Sequence, residues 1–146
     1  MDFFYFDIAH AIQVHDEIIE RSGGINGVLN LGILESSLEH IQNDLYYPCL
    51  EDKLTHLFFS VNKNHSFHDG NKRSSIALSA YFLEINNCDF VVTRFMKEME
   101  NLAVDVADNL ISKDLLFDII NSLIYEEDYS EELKIKIINA KQNMSI

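Results

Sequence analysis

The sequence predicts a single all-α domain, and three observations lead to that prediction. Apolar residues recur at helical spacing along almost the whole chain. The chain has 146 residues but only one proline and five glycines, which leaves little room for the many turns of a β-sandwich or barrel. The length, together with a hydrophobic content of 47%, suits one soluble domain with its own core.

Capping and stop signals divide the N-terminal half into helices. Asp7 is the predicted N-cap of a first helix, which ends at the glycines of positions 23 and 24, where glycine allows a left-handed stop. Asn30 is the predicted N-cap of a second helix with leucines along one face. Two further helices follow from their apolar spacing, over about residues 51–63 and 71–85.

Hydroxyl side chains provide the corresponding signals in the C-terminal half. Thr93, Ser112 and Ser130 are the predicted N-caps of three more helices. The first two of these helices are expected to end near residues 111 and 125. Before them, the apolar run of residues 90–92 is predicted to form a short extended piece.

The charge balance excludes a broad nucleic-acid-binding face. The chain has 11 Lys and Arg against 24 Asp and Glu, a net charge of −13, whereas such a face needs clustered cations that displace counterions. The apolar N-terminal segment contains Asp2 and Asp7, lacks a basic start and is too short to span a bilayer. We therefore expect a cytoplasmic protein that contacts neither nucleic acid nor membrane directly.

The two cysteines agree with a cytoplasmic location. Cys49 and Cys88 show no paired metal-binding spacing and stand far apart in the sequence. Reduced thiols are the simplest interpretation in a domain of this size. A disulfide between them stays open at this stage.

The densest polar cluster lies between two predicted helices, in the run His65-Ser66-Phe67-His68-Asp69-Gly70-Asn71-Lys72-Arg73. It should form a loop that ends in a helix N-terminus, where unpaired N–H groups and the helix dipole attract anions. Gly70 allows a ligand to approach the backbone, and Asn71 can cap the turn. Lys72 and Arg73 place two cations in the first helical turn, which is unfavourable unless an anion compensates.

Two further side chains of this cluster suit phosphate chemistry. Asp69 offers oxygen ligands to Mg²⁺, which is usually bound through one or two carboxylates and the phosphates of a substrate. His65 can accept a proton from an incoming hydroxyl group. With Phe67 packed inward to fix the loop, the cluster predicts a site for phosphoryl or nucleotidyl transfer.

Taken one at a time, these residues also have structural explanations. A histidine at a loop–helix junction is commonly a cap or a surface residue, and an aspartate before glycine is commonly a turn residue. The spacing His65, His68 and Asp69 also suggests a metal hydrolase, which we disfavour because the adjacent cations repel a metal ion. The remaining histidines lie singly in predicted helices and are interpreted as core or surface residues: His10, His15, His40 and His56.

The run of residues 65–73 resembles the Fic motif (filamentation induced by cAMP), His-x-Phe-x-Asp/Glu-Gly/Ala-Asn-x-Arg. Lys72, where adenylyl-transferring members commonly have glycine, resembles the death-on-curing (Doc) toxin branch. Short sequence segments similar to those of Doc-like proteins flank the motif at Gly23–Val28, Leu34–Leu38, Asn62–Asn64 and Phe82–Asn87. The likeness covers about residues 8–92, and the C-terminal third resembles the family only in being helical.

The resemblance implies an all-α Fic fold and a role for each motif residue. His65 would be the general base, Phe67 the loop anchor and Asp69 the ligand of Mg²⁺. Gly70 and Asn71 would form an anion hole, and Lys72 and Arg73 would bind the phosphates of ATP. We expect residues 1–125 to form the Fic/Doc domain and residues 126–146 to be a helical extension of that same domain.

The resemblance also implies a partner and a place where it docks. Residues 44–50, which we predict to be extended, correspond to the family's flap, where Leu45, Tyr46 and Tyr47 would dock a target segment as an added strand. The implied protein is a bacterial toxin that phosphorylates a hydroxyl group on a translation elongation factor of the Tu type. No inhibitory motif of the family occurs in this chain, so a separate antitoxin is expected to restrain it.

Three departures from the family pattern keep alternatives open. Ser66 stands where proline is frequent, and Gly70 is the residue of adenylyl-transferring members, whereas some Doc proteins have alanine. Ile76 stands where adenylyltransferases often have a second arginine, which favours phosphate transfer over AMP transfer. A protein adenylyltransferase is therefore the runner-up. A catalytically inactive Fic-fold binding module is a third possibility, disfavoured because the motif is complete.

Overall fold

The computed structural model describes residues 2–142 and confirms the all-α fold. The described part contains helices and no strand. The helices are α1 (Ile8–Ser22), α2 (Leu31–His40), α3 (Leu50–Lys63), α4 (Asn71–Ile85), α5 (Asp89–Ala107), α6 (Lys113–Tyr125) and α7 (Glu131–Gln142).

Helices α3 and α4 form the centre of the fold. They pack against each other and both contact α5, while α1 covers α4, α6 covers α3, and α7 packs on α6. Phe58 of α3 and Phe95 of α5 are fully buried and meet edge to face, with ring centroids 6.2 Å apart. Burial of such large apolar side chains is the main stabilising contribution in a domain of this size. The loop between α3 and α4 is thereby attached to the two central helices.

The predicted N-caps of four helices are confirmed. The side chains of Asp7 and Asn30 accept hydrogen bonds from the third residue beyond each of them, at 2.9 and 3.0 Å. Ser112 and Ser130 do the same for α6 and α7, both at 3.1 Å. Each cap satisfies an N–H group that has no partner inside its helix.

The predicted start of the fifth helix is wrong. Residues 90–92 are helical rather than extended, and Thr93 lies inside α5 instead of capping it. The chain reverses within a few residues because Asn87 adopts a left-handed conformation, with φ of 63°. Asp89 then stands in the first turn of α5, where its charge is favourable toward the helix dipole.

The flap (residues 44–50) is not extended, as the sequence had suggested. Residues 44–46 form a turn in which the Tyr47 N–H donates to the Asn43 carbonyl oxygen at 2.9 Å. The Asn43 side chain accepts from the Leu45 N–H at 3.0 Å and so closes the turn. Leu45 and Tyr46 are 83% and 72% exposed at its tip. An extended strand here would break both of these hydrogen bonds.

Two smaller expectations concern membranes and thiols. No helix within residues 2–142 combines the length and the apolar character that a membrane span requires. Cys49 and Cys88 are both free, the first exposed and the second half-buried. The interpretation as reduced thiols is therefore the one that the structure supports.

Candidate functional site

The predicted site residues line a cavity of about 410 Å³ at the junction of α3, α4 and α5. The loop of residues 64–70, called the motif loop below, forms one wall. The C-terminal ends of α3 and α5 form the others. The lining residues are Asn62, Lys63, His65, His68, Asp69, Gly70, Asn71, Lys72, Ala107 and Asn109.

A second loop, residues 23–30 between α1 and α2, is hydrogen-bonded to the motif loop and holds it in place. The N–H groups of Leu29 and Asn30 donate to the Ser66 carbonyl oxygen at 2.8 and 3.0 Å, and the His68 N–H donates to Gly27 at 3.1 Å. Val28 and Phe67 pair as an isolated antiparallel bridge. Backbone hydrogen bonds on both sides hold the motif loop in one shape, which a preorganised site requires.

His65 has an unusual backbone conformation. Its φ is 52°, the left-handed region that non-glycine residues seldom adopt. Such strain persists where the surrounding structure over-determines it, and it is commonest at functional sites. The side chain is exposed and lines the cavity, so its ring can reach a group that enters from solvent.

The Asp69 carboxylate is held by two backbone N–H groups. Its Oδ2 accepts from Ile25 at 3.0 Å and its Oδ1 accepts from Gly70 at 2.7 Å. Arg73 adds a guanidinium nitrogen 3.8 Å from Oδ1. These hydrogen bonds, and after them the guanidinium charge, lower the pKa of Asp69 below its ordinary value. The carboxylate is therefore ionised and has a fixed orientation at neutral pH.

The Asp69 carboxylate suits the ligand preference of Mg²⁺. Each of its oxygens keeps a lone pair beyond the backbone hydrogen bond it accepts, and the side chain is 42% exposed at the cavity wall. Among residues 2–142 no group of three or more His, Cys, Asp or Glu side chains comes together as a metal cage. One carboxylate completed by phosphate and water oxygens is the usual way in which Mg²⁺ is held.

The N-terminus of α4 offers N–H groups without a side-chain cap. Gly70 is the N-cap, in a left-handed conformation with φ of 76°. Asn71, which was predicted to cap, is the first helical residue instead. Its side chain accepts from the Phe67 N–H at 3.1 Å and donates to the Phe67 carbonyl at 3.0 Å. The backbone amides of the first turn therefore stay available to an anion.

The two cations of the motif diverge. Lys72 is exposed and lines the cavity. Arg73 lies outside the cavity wall, where its Nη1 donates to the Ser22 hydroxyl at 2.6 Å and to the Gly23 carbonyl at 3.1 Å, at the C-terminal end of α1. A cation is favourable at that end of a helix. Contact between Arg73 and phosphate stays a prediction that requires the side chain to leave these partners.

Several residues of the site were missed by the sequence analysis. Lys63 lines the cavity and donates to the Val106 carbonyl at 3.3 Å and to the Asn109 side chain. It adds a second ammonium group to the cavity wall. His15, interpreted above only as a core or surface histidine, is fully buried under the motif loop. The helical spacing of Ala11, His15 and Ile19 identifies the buried face of α1 but not its partner.

The flap side chains do not line this cavity. Tyr46 and Tyr47 border a separate hollow of about 360 Å³ next to Lys113. The Tyr47 ring lies against the His56 ring with centroids 4.5 Å apart. The docking role of Leu45, Tyr46 and Tyr47 stays a prediction.

Comparison with known proteins shows the family of the chain. A profile of the Fic/DOC family matches residues 5–83, which is more than half of the chain and includes the range of the predicted site residues. The chain belongs to the Fic/DOC family. It is 34% identical over 89 residues to a protein named Toxin Doc from Mycolicibacterium smegmatis, a match that covers 58% of this chain and 68% of that protein. Fic/DOC proteins are generally enzymes that use ATP and transfer nucleotide or phosphate groups to proteins.

Proposed function

We propose that this Fic/DOC protein is a Doc-type toxin that transfers the γ-phosphate of ATP to a hydroxyl group of a target protein. The observation that carries the proposal is one cavity that combines an exposed base, an oriented carboxylate, an uncapped helix N-terminus and a lysine. Phosphoryl transfer depends on positioning and on charge neutralisation, and these groups supply both. Similarity to a relative named Toxin Doc supports the same class.

Each group has a defined part in the proposed reaction. The first-turn amides of α4 and the Lys72 ammonium bind the phosphates of ATP. Asp69 would hold Mg²⁺, which neutralises phosphate charge when bound. The acceptor hydroxyl attacks the γ-phosphorus, the bond from that phosphorus to the bridging oxygen breaks, and ADP leaves. His65 takes the proton of the attacking hydroxyl.

The charge distribution favours a nucleotide at this position. The whole chain carries a net charge of −13, yet Lys63 and Lys72 both line the cavity. A local concentration of cations in an acidic molecule directs phosphates to one place on its surface.

The proposed target is an elongation factor of the Tu type, docked against the flap at Leu45, Tyr46 and Tyr47. The proposed location is the cytoplasm, where a cognate antitoxin would hold the toxin inactive.

Protein adenylyltransfer is the second candidate, and Gly70 is the residue that favours it. The left-handed φ of 76° at this position suits glycine, and a Cβ there would approach Ile19 Cδ1 to 3.2 Å. Glycine is also what adenylyl-transferring relatives carry, so the two reactions share this scaffold. The group that is transferred separates them.

The test is transfer from ATP labelled either at the γ-phosphate or at the α-phosphate, with Mg²⁺ and purified elongation factor Tu. We expect label from γ-labelled ATP only, together with a mass increase of one phosphoryl group on the target. His65→Ala should abolish both this transfer and toxicity on expression. His10→Ala is the control, since His10 is another histidine and lies outside both the cavity and the flap. Label from α-labelled ATP would establish adenylyltransfer instead. Absence of label with either nucleotide would refute both reactions in favour of a catalytically inactive binding module.

A further inference from the structure

His15 is a polar side chain of α1 that is buried against the motif loop. It has no exposed surface, and its ring stacks on the ring of Phe67 with centroids 3.9 Å apart and planes within 3°. Burial of an imidazole is unfavourable unless its nitrogens find partners. The stack alone does not require nitrogen, because a phenyl ring would fill the same space.

One nitrogen of His15 has a specific partner. Its Nε2 lies 2.6 Å from the backbone carbonyl oxygen of Asp69. A carbonyl oxygen can only accept, so Nε2 carries the proton and donates. The other nitrogen, Nδ1, is buried without a hydrogen bond, and the nearest carboxylate, that of Asp16, lies 3.7 Å away. The directional interaction of His15 is therefore with Asp69.

This hydrogen bond fixes the peptide group between Asp69 and Gly70. In a planar trans peptide the C=O and the following N–H point in opposite directions. With the carbonyl directed at His15, the Gly70 N–H points away and donates to Asp69 Oδ1 at 2.7 Å. One buried donor thus orients both the carboxylate of Asp69 and the residue that begins α4.

We propose that His15 is a positioning residue for Asp69 and for the helix N-terminus in the reaction of this site. The inference rests on the proposed function, which gives Asp69 and the α4 amides their roles. His15 contacts no substrate in this proposal. It acts through the Asp69–Gly70 peptide, because a rotated peptide would turn the carboxylate and the first amides away from the cavity.

Two substitutions separate positioning from packing. His15→Phe keeps a flat ring on Phe67 and removes the Nε2 donor. His15→Gln removes the ring but carries an amide N–H at a similar distance along the side chain. His10→Phe is the matched control, because His10 is another α1 histidine stacked on an aromatic ring, that of Tyr81, with centroids 4.2 Å apart.

The kinetic test measures kcat, KM for ATP and the Mg²⁺ dependence of transfer, with unfolding by urea as the check on folding. Supporting groups behind a metal ligand typically change activity or metal affinity by about 10-fold to 100-fold. We expect such a loss in kcat, or such a rise in the Mg²⁺ requirement, for His15→Phe with a similar unfolding midpoint, and partial recovery in His15→Gln. Activity of His15→Phe within about twofold of the His10→Phe control would overturn the proposal.

A second measurement is independent of turnover. The amide resonance of Gly70 in a ¹H–¹⁵N spectrum reports directly on the peptide that His15 orients. We expect it to shift and to exchange at least about tenfold faster in His15→Phe, and to stay in place in His10→Phe. A Gly70 resonance unchanged in His15→Phe refutes positioning whatever the reaction proves to be. Absence of any transfer by the wild-type protein, with a shifted Gly70 resonance, refutes the proposed function alone.

Discussion

The ammonium group of Lys53, a side chain with no exposed surface, lies 2.7 Å from the carboxylate of Asp44. It also donates to the Ile41 carbonyl oxygen at 2.7 Å, at the C-terminal end of α2 where a cation is favourable. The rings of Phe3 and Tyr5 lie 5.0 and 5.6 Å from the same nitrogen. One lysine of α3 therefore fixes the end of α2, the N-terminal segment and the first residue of the flap.

We predict that Lys53→Met destabilises the protein by about 2 to 4 kcal/mol. The variant conserves volume but leaves the Ile41 carbonyl without its donor and releases the flap. Urea unfolding gives the free energy directly. Lys136→Met is the control, since Lys136 is 52% exposed and forms a surface ion pair with Glu132 at 3.6 Å, so its change should stay below about 0.5 kcal/mol. Equal losses in the two variants would contradict the structural role of Lys53.

A second buried polar cluster centres on His56, next to the flap. Its Nδ1 accepts from the Lys113 ammonium at 2.9 Å, while Nε2 lies 3.3 Å from both His40 Nδ1 and the Ser60 hydroxyl. Burial, and after it the charges of Lys113 and His40, lower the pKa of His56 to about 4. Burial also lowers the pKa of Lys113.

This cluster makes stability depend on pH, and we predict a loss toward acid. The pKa of His56 is about 6.5 in an unfolded chain and lower in the folded protein. The unfolded chain therefore binds the proton first, so the full stability present above about pH 7 falls as the pH approaches 4. The contribution should be about 2 kcal/mol after allowance for solvent screening. Urea unfolding across this pH range should show a flatter profile for His56→Gln than for wild-type or His10→Gln, and parallel profiles would contradict the assignment.

Most of the fold was accessible from the sequence because its signals are local. The caps at Asp7, Asn30 and Ser112 act on N–H groups three residues ahead, within reach of a sequence pattern. The flap was misjudged for two reasons: the local turn signal of Asn43 was missed, and Asp44 is held by Lys53, which lies nine residues away on α3. The start of α5 was misjudged because the left-handed Asn87, and not Thr93, decides where the helix begins.

The site residues likewise include some that the sequence predicts and others that depend on the packing of the helices. His65, Asp69 and Lys72 belong to one continuous run, so residue types and spacing were enough to place them in one cavity. The groups that hold them come from α1 and the loop after it. Ile25 binds Asp69 across 44 residues, and His15 binds the same residue across 54 residues. No pattern in a single sequence predicts such long-range hydrogen bonds, because they depend on how the helices pack.

A third prediction uses two adjacent glycines in the loop after α1. Gly24 has a φ of 127°, and a Cβ there would lie 2.6 Å from Asp69 Oδ2. Gly23 has a φ of 83° but meets nothing within 4 Å. Both alanine variants incur backbone strain of about 1 to 3 kcal/mol, but only Gly24→Ala displaces the carboxylate. We expect activity to fall at least about tenfold in Gly24→Ala relative to Gly23→Ala, and similar activities would show that the loop tolerates the shift.

A fourth prediction concerns the charge of Asp69. Asp69→Asn keeps the shape but removes the charge that Mg²⁺ requires, and one of the two backbone donors, Ile25 or Gly70, then faces an amide instead of an oxygen. The rate of transfer should fall at least about tenfold and the reaction should need more Mg²⁺. The circular dichroism spectrum should remain that of a helical protein. Asp118→Asn, an exposed change on α6, should leave both quantities alone. Unchanged activity of Asp69→Asn at limiting Mg²⁺ would remove the carboxylate from the site.

A fifth prediction follows from the proposed function: Lys72 should decide which phosphate of ATP reaches the reacting centre. It stands in the first turn of α4, exposed at the cavity wall. A glycine there would leave space for the α-phosphate beside the helix N-terminus, as adenylyl transfer requires. The lysine fills part of that space and offers a compact charge to a phosphate. We expect both effects to favour a pose with the γ-phosphate close to His65.

We therefore predict that Lys72→Gly loses phosphate transfer and gains at most weak AMP transfer. In-line attack needs the acceptor oxygen about 3 to 3.5 Å from the phosphorus, so the pose of the nucleotide decides the product. The gain should be small because Ile76, one turn along α4, provides no second arginine for the departing pyrophosphate. Lys72→Met separates charge from volume, since it removes the ammonium, keeps the bulk and should yield neither product. Intact-mass analysis of the target distinguishes the added groups, and AMP on the wild-type target would refute the kinase reaction in favour of adenylyl transfer.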